Sequence, residues 1–271
     1  MNEIRPAAVA GMFYPGDPGT LRHDVASMLA AAHAQPGTAE HPPKALIVPH
    51  AGYVYSGPVA ASGYARLKPW RDTIRRVVMF GPAHRVALQG LALPDAAAFE
   101  TPLGRVPVDA DAVAQVQSLP QVVLSPRAHA LEHSLEVQLP FLQSVLRDFS
   151  VVPFAVGFAE AAEVAEVIEL LWGGEETLIL ISSDLSHYHP YREAQAFDRA
   201  TADAILALNP QLDHEQACGA TPITGLILCA RRHGLAPQLL DLRNSGDTAG
   251  DRARVVGYAS LAFYDASHDV H

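Results

Sequence analysis

The stretch Thr177-Leu178-Ile179-Leu180-Ile181-Ser182-Ser183-Asp184-Leu185-Ser186-His187-Tyr188-His189 decides the fold class. Leu178 to Ile181 are consecutive large aliphatic side chains with no polar alternation. A strand of that kind is buried on both faces, which is the habit of parallel strands covered by helices. The run then breaks into a polar cluster, as a chain does on leaving a sheet. Four further runs read the same way: Lys44 to Pro49, Arg76 to Phe80, Val151 to Val156 and Val255 to Phe263. Helical spacing of apolar residues fills the intervals, at Leu21 to Ala32, Pro58 to Leu67, Ala110 to Ser118, Ser134 to Leu146, Ala161 to Leu171, Arg192 to Leu208 and Pro222 to His233. Strands alternating with helices predict an α/β protein with a mainly parallel central sheet flanked by helices. Phe99 to Pro107, centred on Pro102-Leu103-Gly104, reads as a hairpin standing off that sheet. No repeat, low-complexity tract or linker divides the chain, so residues 1–271 are expected to form one domain.

Composition excludes several functions. Of 271 residues 49% are apolar and 18% charged, the profile of a folded globule rather than a disordered chain. Lys and Arg number 19 against 29 Asp and Glu, and a net charge of −10 repels phosphate backbones, so nucleic acid is not an expected partner. No apolar run approaches the ~18 residues that span a bilayer. Nor does the N-terminus carry a basic segment followed by an apolar one, and a membrane association is not expected. Two cysteines 11 residues apart in one apolar stretch, Cys218 and Cys229, fit a reducing compartment, and the expected location is cytoplasmic.

Thirteen histidines stand beside those two cysteines. In open α/β sheets ligands sit beyond the carboxyl ends of the strands. Three strand runs deliver a histidine there: His50 in Pro49-His50-Ala51-Gly52-Tyr53, His84 in Gly81-Pro82-Ala83-His84, and His187 after Ser183-Asp184. One such histidine is ordinarily a hydrogen-bonded structural side chain. Three converging imidazoles repel when protonated but become favourable when neutral around a cation. Glu132 and His133 precede a helix in which Ser134 reads as the cap and Glu136 as an exposed position. Cys218 lies just before a helix expected to begin at Pro222, where the dipole favours a thiolate, while Cys229 reads as core packing. His23, His33, His41, His214, His233, His268 and His271 read as surface or helix-end residues, and His129 and His189 stay open.

Six motifs in order carry a resemblance: Arg5-Pro6-Ala7-Ala8-Val9-Ala10-Gly11-Met12-Phe13-Tyr14-Pro15, Pro49 to Tyr53, Gly81 to His84, Glu132-His133-Ser134-Leu135-Glu136-Val137-Gln138-Leu139-Pro140, Ser182 to Tyr188, and Cys218-Gly219. Together they resemble the Memo family, known in prokaryotes as component B of the AmmeMemoRadiSam system, over nearly the whole chain. The resemblance implies the fold of the class III extradiol dioxygenases, the LigB-like non-haem iron enzymes. It implies His50, His84 and Cys218 as metal ligands, with His187, Asp184, His133 and Glu132 completing a catalytic pocket in which Asp184 orients His187 as acid/base. Fe2+ is the implied metal. A thiolate in place of the dioxygenase carboxylate also suits copper or zinc. Arg85 stands where relatives often carry a second histidine. The activity so implied is a mononuclear metal oxidoreductase, or a subunit of a partner-dependent modification system, acting on a small molecule or peptide and working with AMMECR-like and radical SAM proteins. The alternative is a non-catalytic module that recognises a peptide or protein partner or sequesters redox metal. A covalent role for Cys218 would leave the strand-end histidines without purpose.

Overall fold

The computed structural model describes residues 3–32 and 41–266. His33, His268 and His271 lie outside them. In chain order the elements are β1 (Glu3–Arg5), α1 (Pro18–Ala31), β2 (Ala45–Val48), α2 (Tyr53–Tyr64), β3 (Arg76–Pro82), β4 (Leu91–Leu93), β5 (Ala96–Thr101), β6 (Gly104–Pro107), α3 (Ala110–Val116), β7 (Val122–Leu124), α4 (Pro126–Ala130), α5 (Leu139–Val145), β8 (Ser150–Val156), α6 (Ala161–Leu170), β9 (Thr177–Ser182), β10 (His187–His189), α7 (Tyr191–Leu206), α8 (Ala220–His233), β11 (Leu235–Asn244), α9 (Ser245–Thr248) and β12 (Val255–Asp265).

The main sheet runs β10-β12-β2-β9-β3-β8-β4-β7, with β11 also paired to β12. Its centre is the expected parallel set, β2-β9-β3-β8. Leu46, Ile47, Val78, Phe80, Val152, Phe154, Leu180 and Ile181 are wholly buried there, because helices cover both faces. Antiparallel strands flank this core, β12 against β2 and β4 against β8. The ribbon of β11 and β12 forms one flank. β11 mixes Pro237, Gln238, Asp241 and Arg243 with leucines and is only part-buried, so a search for apolar runs passes over it. The hairpin at Phe99 to Pro107 is found as β5 and β6, and β5 pairs on its other side with β1 in a separate three-stranded sheet.

Local readings changed in four places. The helix expected from Pro58 starts at Tyr53 and tightens into a 3-10 segment at Ala65–Trp70, where Pro69 removes a donor. The helix expected from Ser134 opens as a 3-10 turn, Glu136–Gln138, before α5. Ser134 is no cap: its hydroxyl donates to Pro82 O at 3.0 Å. α8 begins at Ala220 rather than Pro222.

Because the four central strands run the same way, their carboxyl ends open on one edge of the sheet. His50 follows β2 by two residues, His84 follows β3 by two, and Ser183-Asp184 follow β9 directly. No helix among the described residues is long and apolar enough to cross a membrane.

Candidate metal centre

Three imidazoles meet at that edge: His50, His84 and His133 each offer a ligand atom within 4.8 Å of the others. Ring centroids are 5.2 Å apart for His50 and His84, 5.4 Å for His50 and His133, and 4.7 Å for His84 and His133. His50 and His84 arrive on strand ends. His133 comes from the coil between α4 and α5, a place that no strand pattern marks.

Hydrogen-bond partners fix the protons. Ser182 Oγ donates to Ser134 O at 2.5 Å and accepts from Gln138 Nε2 at 2.8 Å. Its one hydrogen is therefore used, so its 2.9 Å contact with His50 Nδ1 requires His50 to donate. That leaves the His50 Nε2 lone pair unprotonated. Glu132 acts likewise on His84: Oε2 accepts from the His84 backbone N–H at 2.6 Å, and Oε1 lies 2.9 Å from His84 Nδ1. Burial opposes the charge on Glu132. Hydrogen bonds from the His84 ring and from the backbone N–H groups of Ser134 and His84 outweigh it and hold the carboxyl down at about 2. An ionised carboxylate only accepts, so His84 Nδ1 carries the proton and its Nε2 is also left free. The Nδ1 of His133 is buried without a hydrogen-bond partner, 3.3 Å from Glu132 Oε1.

Burial pushes His50 down to about 3, aided by the neighbouring His84 ring, beside which a second positive charge is unfavourable. Burial and the neighbouring His50 bring His133 to about 4. Both are neutral near pH 7, the form that binds metal. Two free Nε2 lone pairs and an unpartnered buried nitrogen on three clustered imidazoles fit a transition-metal ion.

The other expected residues surround this cluster. Cys218, expected as the third ligand, has its Sγ 3.3 Å from His50 Nε2 but is not one of the clustered ligand atoms, and His133 supplies the third imidazole. The thiolate expected from the helix dipole is not the resting form, since burial and the Asp184 carboxylate push the thiol up to about 12. Asp184 Oδ1 accepts from the His50 backbone N–H at 2.7 Å. Among the described residues it makes no ion pair with His187, which instead sits on β10 with its ring 5.8 Å from that of Tyr188. Asp184 thus holds the backbone of His50 rather than the ring of His187.

Glu136 corrects the exposed-helix expectation: it is 0% exposed. Its carboxylate pairs with the Arg5 guanidinium and accepts from the backbone N–H groups of Ala8 at 2.8 Å and Val9 at 3.0 Å and from Tyr14 OH at 2.5 Å. Arg5 also donates to His129 O and Glu132 O. The N-terminal segment is thereby tied to the turn that carries Glu132 and His133. His129 is buried and bonds Ala92 O through Nε2, a structural role. His189 packs on Phe197, and Cys229 is buried in the core as expected. Both cysteines are free.

Fold and site together define an α/β protein with a three-histidine cluster, able to hold a metal ion, at the carboxyl edge of its parallel strands. Residues 5–262 match the family model described as Memo-like protein. A MEMO1 family protein of Archaeoglobus fulgidus is 37% identical over 279 residues, covering 96% of this chain and 99% of its own. Those of Aquifex aeolicus and Sulfolobus acidocaldarius are 35% and 34% identical, covering 96% and 97% of this chain and 99% and 100% of theirs. The chain belongs to the Memo family. An uncharacterized protein from Escherichia coli K12 shares the fold at a TM-score of 0.52 and 15% identity, covering 80% of this chain and 98% of that one.

Proposed function

We propose that the cluster holds a divalent transition metal, Fe2+ first, with copper or zinc as alternatives, and that the protein is a mononuclear metal-dependent oxidoreductase or the metal-bearing subunit of a modification system. The observation that carries this reading is the proton inventory: Ser182 and Glu132 fix the Nδ1 protons of His50 and His84 and so present both Nε2 atoms unprotonated. His50, His84 and His133 are the nitrogen donors, and Cys218 is the fourth donor once its thiol is deprotonated. The bound metal would supply Lewis acidity and one-electron redox capacity. His187 gives or takes a substrate proton at a ring nitrogen, and Asp184 keeps the His50 backbone in place.

Elemental analysis of protein purified without added metal, and again after reconstitution with Fe2+, tests the assignment. His50→Ala and His133→Ala are expected to lower metal occupancy by about tenfold or more. Unchanged content in both rules the centre out. Cys218→Ser decides the fourth donor. With metal bound, O₂ consumption across candidate organic substrates is expected to fall in His187→Ala.

A second reading, a binding module for a partner segment, has one observation in its favour. Exposed Leu131 and Tyr188 adjoin Glu132 and His187 in the chain, and exposed Met12 adjoins Phe13, whose ring lies 4.5 Å from that of His133. Metal occupancy without turnover in wild type, together with saturable binding of one partner, would favour it.

A further inference from the structure

Tyr188 holds φ at 66°, in the left-handed region that side chains other than Gly, Asn and Asp rarely adopt. It is also the extra residue of a β-bulge: His187 pairs with Val256 and His189 with Val255, leaving Tyr188 between them. Bulges of this kind ordinarily put glycine at the left-handed position and are frequent beside active sites, where they re-aim a side chain. Core packing does not account for a tyrosine here, since the residue is 62% exposed. Its ring has an edge contact with His187 at 5.8 Å and the Arg254 guanidinium 5.1 Å above it.

Arg254 is exposed and makes no ion pair among the described residues, on a protein of net charge −10. Stacking on an aromatic ring uses the face of a guanidinium and leaves its N–H edge for an acceptor. The bulge thus sets an unpaired cation and an open aromatic surface next to His187.

We infer that Tyr188 and Arg254 form a recognition lip for an organic acid, in which Arg254 pairs with the carboxylate of the ligand and the open Tyr188 ring receives the adjoining carbon skeleton. This deepens the proposed function and rests on its reading of His187 as the residue that handles a substrate proton, whose ring lies 5.8 Å from that of Tyr188. A strained backbone persists where the surrounding structure over-determines it, and functional sites are where such residues gather.

The test uses benzoate and its uncharged analogue benzamide, titrated calorimetrically into the full-length protein, metal-free and loaded with Zn2+. Wild type is expected to bind benzoate about tenfold more tightly than benzamide, a preference that shrinks with added salt. Arg254→Gln is expected to abolish the preference. Tyr188→Gly is expected to weaken both ligands without lowering the thermal midpoint, because glycine takes the left-handed conformation freely. Equal affinity for the two ligands in wild type, a preference that survives Arg254→Gln, or a Tyr188→Gly variant that melts earlier with ligand binding intact overturns the inference. Failure of the metal reading is seen separately, as unchanged metal content in the His50 and His133 variants. The ligand preference of metal-free protein does not depend on that result.

Discussion

The Ser182 hydroxyl stands behind His50 as the Glu132 carboxylate stands behind His84, and each selects the tautomer of the ring in front of it. Ser182→Ala removes the acceptor for His50 Nδ1–H, and the expected outcome is a folded protein whose metal affinity falls on the order of tenfold, measured by chelator competition. Acid acts on the same groups. His50 and His133 titrate at about 3 and about 4 in the fold, below the ordinary 6.5. The unfolded chain therefore binds more protons in between. The stability of these two neutral imidazoles is complete above pH 6.5 and is lost as pH falls toward 4 and then 3. Glu132 adds a loss as pH drops from 4.5 toward 2. The urea midpoint of metal-free protein is expected to fall steadily from pH 6.5 to 4, and His133→Gln to make that fall shallower. His50 and His84 were legible in the sequence because apolar runs end just before them. His133 was legible only as a residue before a helix that could reach the same edge, and the resemblance put it in the pocket, since its position depends on Glu132 and the turn that follows. Glu136 misled because its burial is set by Arg5, 131 residues away, and helical spacing carries no trace of such a partner.

Among the elements, the segment from Asp184 to His189 is held by α7. Asp198 is buried on that helix, and its Oδ1 accepts from Ser186 N at 3.0 Å. Gly257 on β12 makes the approach possible, because a Cβ there would meet Asp198 Oδ2 at 2.1 Å. Gly257→Ala is expected to destabilise by roughly 1–3 kcal/mol through overpacking. Asp198→Ala is expected to cost a similar ~1–3 kcal/mol by leaving the Ser186 N–H unpaired. Combined, the two changes are expected to cost less than their sum, because the second removes the atoms that the first collides with. Strict additivity in a denaturant double-mutant cycle would refute this account. The central strands were readable because burial on both faces leaves an unbroken aliphatic run. β11 was not, because it is part-buried and mixes polar with apolar positions, and its pairing with β12 is a tertiary fact.

Across the whole molecule, the knot around Glu136 joins the first residues of the fold to its middle. Glu136→Ala leaves the Arg5 guanidinium buried without its counter-charge, and removing one partner of a buried pair costs about 3–5 kcal/mol. The expected outcome is a large drop in the denaturation midpoint together with reduced metal occupancy, because the Glu132-His133 turn loses its anchor. Replacing both partners at once, Arg5→Met with Glu136→Leu, is expected to recover part of the stability. A Glu136→Ala variant as stable as wild type would show that the knot is dispensable. The parallel core and the strand-end location of the site were visible in the sequence as pattern, whereas the knot was not, since it is built from residues that pattern treats as unrelated. The proposed centre gathers His50, His84, His133 and Cys218, and the last of these reaches His50 across 168 residues of chain. Synthesis delivers His50 early and Cys218 late, so the constellation is completed only when most of the polypeptide has left the ribosome. With the four donors proposed above, metal occupancy would report a chain made and folded as far as Cys218, and a chain stalled before that residue would lack the fourth donor.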